Sequence, residues 1–192
     1  MSEAAQIYVR YNGKKGRGLI ANYYSWCYGE RLVSRARYGI EWIIEKLSSK
    51  RLHDRWYLIR LSRILDTNFD MKDVTISQDI IKERLDRYPE DNFRESVFLT
   101  QQNDDGKLFI DICKDFVKYA FTDRDANLEH IMDAESYMVW NVGPEWRCNP
   151  HIEKDMIAAC DENIKYLSEH AQLMTPEELE DFINCEYRDF LF

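Results

Sequence analysis

Residues 6–26 read QIYVRYNGKKGRGLIANYYSW. Two runs of β-branched and aromatic residues, Gln6–Tyr11 and Leu19–Trp26, flank a segment from Asn12 to Gly18 that contains three glycines. β-Branched and aromatic side chains favour strands, whereas glycine and asparagine tolerate the positive φ angles of tight turns. The stretch therefore predicts a β-hairpin at the start of the chain. Side chains alternate along a strand, so Tyr8 and Arg10 should share one face, opposite Ile7, Val9 and Tyr11.

Helices are predicted after this hairpin. From Gly29 to about Lys50, apolar residues recur at the spacing of one helical face. The same spacing recurs over His53–Leu65 and Ser77–Tyr88, and Pro89 is expected to end the third helix. The positions expected to face the core of the first helix are Leu32, Ala36, Ile40, Ile43, Ile44 and Leu47.

A second hairpin is predicted in the middle of the chain. Ser96–Thr100 and Lys107–Cys113 resemble strands, and the segment from Asn103 to Gly106 between them ends in an Asp-Gly step that favours turns. Phe116–Thr122 is compatible with a third strand or with the start of a helix. Its length is too short for periodicity to decide between them.

The last third of the chain is predicted to be helical. One helix should run from Asn149 or Pro150 to about His170, and another from Pro176 to about Asp189. Thr175 and Glu178 stand at the spacing of a capping box at the start of the last helix. The fold class expected from the whole pattern is α+β, with antiparallel β-hairpins packed against helices in a single domain over residues 1–192.

Composition limits the class of protein. The chain has 192 residues, of which 45% are hydrophobic, so it is long enough to bury a core. No signal-peptide-like run or membrane-length apolar window occurs, which favours the cytoplasm and argues against a membrane partner. The cysteines are odd in number and scattered, a pattern typical of reduced buried thiols: Cys27, Cys113, Cys148, Cys160 and Cys185.

Charge divides the chain after Leu65. Residues 1–65 contain 13 Lys and Arg against 5 Asp and Glu, whereas residues 66–192 contain 13 against 30, giving net charges of +8 and −17. An asymmetry of this size favours a polyanion as a partner of the first part and a basic surface as a partner of the second. The acidic remainder is densest at residues 123–135 and 177–189. Its carboxylates could imitate nucleic-acid phosphates, or could simply keep the protein soluble.

The first part of the chain supplies a candidate nucleic-acid-binding surface. Lysine and arginine neutralise phosphates, and exposed aromatic rings stack on unpaired bases. A basic helix face is predicted near the hairpin turn, because two arginines of the following helix stand four residues apart. The alternative is that the basic turn is merely solvated and the aromatic residues belong to the core. The candidate residues are Arg10, Lys14, Lys15, Arg17, Tyr24, Trp26, Arg31 and Arg35.

Cofactor and metal sites are not expected. The glycine-rich segment at Gly13, Gly16 and Gly18 leads back into a strand, whereas phosphate-binding loops lead into a helix. The pairs with ligand-like spacing each lack further ligands. These pairs are His53 with Asp54, His130 with Asp133, and Cys148 with His151. Asp104, Asp105 and Asp111 are equally well explained as turn and surface residues, so no catalytic residue is predicted.

The opening residues carry a resemblance. Tyr8-Val9-Arg10-Tyr11-Asn12-Gly13-Lys14, Tyr23-Tyr24-Ser25-Trp26 and Gly29-Glu30-Arg31 resemble small proteins encoded by bacterial phages and mobile elements, some of which are anti-CRISPR inhibitors. The resemblance covers about the first forty residues and carries over no catalytic residue. It implies a protein of the bacterial host cytoplasm that blocks or modifies a nucleoprotein.

Three functions stay open from the sequence. The first is a non-enzymatic inhibitor that binds a bacterial nucleoprotein, or its nucleic acid, through charged surfaces. The second is a nucleic-acid-processing enzyme that holds its substrate with the basic hairpin and uses a group such as His53, Glu30 or a tyrosine. The third is a structural or assembly protein. The sequence favours the first and gives no oligomeric state.

Overall fold

The predicted N-terminal hairpin is present and forms the centre of the main sheet. The computed structural model describes residues 4–47, 54–87, 92–99 and 104–191. Strands β1 (Ala4–Gly13) and β2 (Gly16–Ser25) pair antiparallel over their whole length, from Ala4 opposite Ser25 to Gly13 opposite Gly16. The turn is shorter than the expected seven residues, because Gly13 and Gly16 already pair and leave Lys14 and Lys15 at the tip.

The main sheet is mixed rather than purely antiparallel. β6 (Lys107–Ile112) lies beside β1 and runs parallel to it, and β7 (Val117–Thr122) pairs antiparallel with β6. Residues from both sides of the charge division at Leu65 therefore meet in one sheet. Short strands pair at the two edges, namely β5 (Gln78–Asp79) and β9 (Asp189–Phe190) on β2, and β8 (Gln172–Leu173) on β7. Strands β3 (Thr67–Asn68) and β4 (Asp73–Val74) form a separate small hairpin.

The predicted helices are present, and together with the sheet they confirm the α+β class. The described helices are α1 (Glu30–Lys46), α2 (Arg55–Asp66), α3 (Ile80–Arg87), α4 (Ala134–Asn141), α5 (Lys154–His170) and α6 (Pro176–Asn184). Four predicted helix boundaries lie outside the described residues, namely Lys50, His53, Tyr88 and Pro89. Helix α4 was not predicted. The capping box of Thr175 and Glu178 is confirmed, but α6 ends at Asn184 rather than at Asp189.

Helices cover both faces of the sheet. Ile7, Val9 and Tyr11 of β1 pack with apolar residues of α1, α2, α4 and α5. Tyr8 points to the opposite face and packs with residues of α3 and α6. The predicted alternation along β1 is therefore confirmed. Both faces of the strand are buried, so the sheet is the middle of three layers.

The predicted second hairpin is wrong. Its expected first strand, Ser96–Thr100, is largely a short π-helical segment, Glu95–Leu99, and Thr100 lies outside the described residues. Phe98 of this segment packs beneath the sheet, with its ring centroid 5.0 Å from that of Tyr8. The Tyr8 hydroxyl lies 2.8 Å from the carbonyl oxygen of Val97 and donates to it. The apolar side chains that resembled a strand thus fill a layer below the sheet, and the hairpin partner of β6 is β7.

The cysteines are free thiols in different environments. Cys27 and Cys160 are buried, whereas Cys113 and Cys185 are partly exposed and Cys148 is exposed. The prediction of buried thiols thus holds for two of the five. Burial raises the pKa of Cys27 to about 11 and that of Cys160 to about 12.

These two thiols should make the protein less stable at alkaline pH. Between pH 9 and 11 the unfolded chain loses their protons while the folded chain keeps them, so the free energy of unfolding falls as pH rises. Each thiol contributes a slope of up to about 1.4 kcal/mol per pH unit. We expect urea unfolding under reducing conditions to show a shallower pH dependence for Cys27→Ala/Cys160→Ala than for the parent. Equal slopes between pH 9 and 10.5 would contradict the burial of these thiols.

Within the described part of the chain, no helix has the length and apolar character needed to cross a membrane.

Candidate nucleic-acid interface

The tip of the β1–β2 hairpin is hydrogen-bonded to Arg188 and Asp189, at the start of β9. The backbone N–H of Lys14 donates to Asp189 Oδ2 over 3.0 Å, and the N–H of Arg188 donates to the carbonyl of Arg17 over 2.9 Å. Gly13 makes this contact possible, since a Cβ there would lie 2.2 Å from Asp189 Oδ2. Strand β9 therefore fixes the backbone of the turn, while the side chains of Lys14 and Lys15 are exposed.

Tyr11 lies across the strand beside this turn. A Cβ on Gly18, its cross-strand partner, would lie 2.1 Å from Tyr11 Cζ, so the ring occupies the space that a side chain would need. Burial and the neighbouring carboxylate of Asp189 raise the pKa of Tyr11, while Arg55 acts in the opposite direction. The phenol is therefore neutral at physiological pH and contributes no negative charge here.

A cavity of about 280 Å³ joins the hairpin tip to helix α2. Three of its lining residues are cationic, namely Lys14 and Lys15 of the turn and Arg55 at the start of α2. Asp189 contributes a carboxylate to the same lining. The cavity places the positive charges of two separate elements beside one another, as an anion-binding site requires. The other residues that line it are Tyr11, Leu58, Phe190 and Leu191.

Helix α2 extends this positive surface along its outer face. Leu58, Leu61 and Leu65 are its buried residues. Residues four apart are neighbours on a helix surface, so two rows run along the opposite face. The first row contains Arg55, Ile59 and Arg63, and the second contains Trp56 and Arg60. All five residues are exposed.

Trp56 is the aromatic centre of this face. Trp56 is 58% exposed, and the guanidinium carbon of Arg60 lies 4.6 Å from its ring centroid. Tyr57 meets it edge-on, with ring centroids 5.1 Å apart. We call the set Lys14, Lys15, Arg55, Trp56, Arg60 and Arg63 the basic surface.

Four cations of this surface differ in their pairing from other cations of residues 1–65. None of the residues that the structure describes forms a salt bridge with Lys14, Lys15, Arg60 or Arg63. By contrast, arginines elsewhere in residues 1–65 are paired with carboxylates: Arg10, Arg17, Arg31 and Arg37. A paired cation must give up its partner before it contacts a phosphate, whereas Lys14, Lys15, Arg60 and Arg63 have no such partner in the part of the chain that the structure describes.

Arg10 is a buried structural residue and does not belong to a nucleic-acid surface. Its Nε and Nη2 donate to the two carboxylate oxygens of Asp111 over 2.9 and 2.6 Å, and its Nη1 donates to Asp181 over 2.7 Å. Burial acts to lower the pKa of Arg10, but the hydrogen bonds and charge of Asp111 outweigh it and hold the pKa above its usual value. The prediction of a phosphate contact at Arg10 is corrected.

Tyr24 and Arg35 are also removed from the predicted site, because both are fully buried. The Arg35 guanidinium lies over the Tyr24 ring at 4.9 Å and donates to the carbonyl of Leu65. The sequence indicated aromatic and basic residues but not which of them face the interior. Here the ring and the cation pack on each other inside the layer formed by α1 and α2.

Trp26 and Arg31 lie at the other end of the hairpin. β2 runs from the turn to Ser25, and α1 starts after it, so the expected position of Arg31 near the turn is wrong. A ten-residue strand spans about 30 Å, which separates these residues from Lys14 and Lys15. Trp26 is exposed, while Arg31 pairs with Asp73 at 3.1 Å. Arg17 lies beside the turn but pairs with Asp181 at 3.2 Å.

Part of the acidic remainder is neutralised within the protein. Arg147 pairs with both Glu135 and Asp161, and its hydrogen bond holds the pKa of Glu135 below its usual value. Lys118 bonds to Glu178 and lowers the pKa of that carboxyl in the same way. These pairs reduce the acidic excess at two of the places where the sequence suggested phosphate mimicry.

No metal site is formed by the described residues, where no group of three or more His, Cys, Asp or Glu side chains could hold an ion. His130 Nδ1 lies 2.7 Å from Asp123 Oδ2, within hydrogen-bond distance. Cys148 and His151 are both exposed. His53 lies outside the described residues.

Comparison of the chain with protein-family models, with curated proteins and with solved structures finds no match.

Asp189 should oppose the binding of anions at the cavity. Its carboxylate lies among Lys14, Lys15 and Arg55, so it reduces the positive potential there. Asp189→Asn keeps an oxygen that accepts the Lys14 N–H but removes the charge, and we expect it to bind oligonucleotides about 3-fold more tightly at low salt. Fluorescence anisotropy measures this, with Asp155→Asn, an exposed change on α5, as control. Unchanged affinity in Asp189→Asn would place the ligand elsewhere.

The arginines and the tryptophan of α2 were not among the predicted site residues. The periodicity that identified the buried face of this helix also defines its outer face, where Arg55, Trp56, Arg60 and Arg63 recur. That signal was present in the sequence. What it did not supply was the packing of α2 beside the hairpin tip.

Proposed function

We propose that the protein binds nucleic acid through the basic surface. The observation that carries the proposal is a set of exposed cations on two adjoining elements, Lys14 and Lys15 at the cavity and Arg60 and Arg63 on the outer face of α2. None of these four has a salt-bridge partner among the described residues. Lysine and arginine side chains neutralise backbone phosphates and release condensed counterions. An exposed tryptophan within such a surface is typical of sites that also contact bases.

The role that we propose for this binding is inhibition of a bacterial nucleoprotein. The resemblance of about the first forty residues to small phage and mobile-element proteins, some of which are anti-CRISPR inhibitors, supports it, as does a surface suited to the phosphate backbone. By occupying the nucleic acid of such a complex, the basic surface would compete with the complex's own basic groove. Paired carboxylates of the acidic remainder make mimicry of nucleic acid by that part the weaker route.

The test is a binding titration that also reads out hydrolysis. Fluorescently labelled DNA and RNA oligonucleotides are titrated with pure protein at several salt concentrations, with and without Mg²⁺. We expect saturable binding whose affinity falls as salt rises, because phosphate contacts depend on counterion release. Intact oligonucleotides after long incubation support inhibition by binding, whereas cleavage would favour the alternative of a nucleic-acid-processing enzyme. Absence of binding at low salt would overturn the proposal.

A further inference from the structure

We infer that the basic surface takes single-stranded nucleic acid, and that Trp56 stacks on an unpaired base. This inference rests on the proposed function and specifies its substrate class. Its basis is the composition of the α2 outer face, where a large exposed ring shares the surface with the exposed residues Arg55, Arg60 and Arg63.

The position of Trp56 supports stacking over a core role. More than half of the residue is exposed, although the neighbouring helix positions Leu58 and Leu61 are buried. Exposing so large an apolar ring forfeits the free energy that its burial would give. Tyr57 supports the ring from one side in an edge-on contact, which holds it on the helix surface.

Cations of α2 and of the turn complete the site. Arg60 lies over the ring at 4.6 Å, and Arg55 lies one residue before Trp56, at the cavity that contains Lys14 and Lys15. A strand whose phosphates lie along the two lysines and Arg55 can therefore place a base beside Trp56. Arg60 adds a second planar group, since guanidinium planes also stack on bases.

Duplexes do not fit this arrangement equally well. Paired bases stack on each other and expose only their edges in the grooves, so an aromatic ring on a helix surface has no base face to meet. Single strands, whether DNA or RNA, offer free base faces to any aromatic ring. The phosphate contacts alone would hold a duplex, and the stacking contact adds affinity for a single strand.

The experiment compares three kinds of ligand and variants of two tryptophans. A single strand of about 16 nucleotides, as DNA and as RNA, its duplex, and heparin are titrated at one salt concentration. We expect the parent to bind single strands at least about 10-fold more tightly than duplex, and Trp56→Ala to lose most of that difference while its duplex and heparin affinities change by less than about 2-fold. Trp56→Phe should retain part of the preference.

Trp140→Ala is the matched control. Trp140 is also exposed, but a Cβ on Gly106 would lie 3.2 Å from its ring, which places it at the start of β6 and at the far end of the sheet from the turn. We expect this variant to bind like the parent. Equal affinity for single strand and duplex, or an equal loss for all ligands in Trp56→Ala, would overturn the stacking inference. Failure to bind any of the ligands, heparin included, would instead overturn the proposed function.

Discussion

Reversing the charge of both turn lysines, in Lys14→Glu/Lys15→Glu, is expected to weaken nucleic-acid binding by at least about 100-fold at low salt. Two phosphate contacts are lost, and two carboxylates then repel the backbone beside Arg55. The plot of log Kd against log salt should also become shallower by about two units, one for each lost contact. Fluorescence anisotropy over a range of salt concentrations gives both quantities.

The control for this variant makes the same change of charge elsewhere. Lys82 on α3 and Lys154 on α5 are exposed and lie outside the basic surface. Lys82→Glu/Lys154→Glu should therefore retain affinity within a few fold, which separates a local contact from an effect of net charge. Because Lys14 and Lys15 are exposed turn residues, the stability of the reversed variant should match the parent. Equal losses in the two variants would show that binding does not involve the turn.

Removing the partner of Arg10, in Asp111→Ala, is expected to lower the free energy of unfolding by about 3–5 kcal/mol. Arg10 is 9% exposed and gives two of its hydrogen bonds to this carboxylate. Without Asp111, the guanidinium stays largely buried with a single remaining carboxylate partner, Asp181. Breaking a buried salt-bridge network is among the few causes of losses this large.

Urea unfolding measures this loss of stability. Two further variants show whether it comes from the buried charge of Arg10. Asp115→Ala removes an exposed carboxylate from the loop after β6 and should change stability by less than about 0.5 kcal/mol. Arg10→Met/Asp111→Leu replaces both charges with apolar groups of similar size, and it should be more stable than Asp111→Ala. A loss below about 1 kcal/mol in Asp111→Ala would contradict the assignment of Arg10 to the interior.

Much of the fold was predictable, because it depends on local patterns. The alternation in Ile7–Tyr11 and the helical spacing from Leu32 to Ile43 each select one secondary structure. The capping box at Thr175 likewise fixes a helix start from two side chains. The strand predicted at Ser96–Thr100 was wrong because a short apolar run is equally suited to a strand and to a segment packed beneath a sheet.

The candidate site was predictable only in part. The hairpin identified Lys14 and Lys15 correctly as exposed cations. It could not show that Arg10 and Arg35 are buried, because their partners Asp111 and Leu65 are distant in the sequence. The contribution of α2 to the basic surface depends on how α2 packs beside the hairpin tip. Patterns in a single sequence carry no information about such packing.

The most direct test of the basic surface is a map of the backbone amide and indole N–H groups whose NMR signals shift when an oligonucleotide is added. A titration of ¹⁵N-labelled protein with a short single strand, followed by two-dimensional NMR, gives this map in one experiment. We predict the largest shifts at Lys14, Lys15, Arg55 and the indole N–H of Trp56, with smaller changes at Arg60 and Arg63. Shifts confined to α4, α5 or α6, with the hairpin tip and α2 unchanged, would contradict the account.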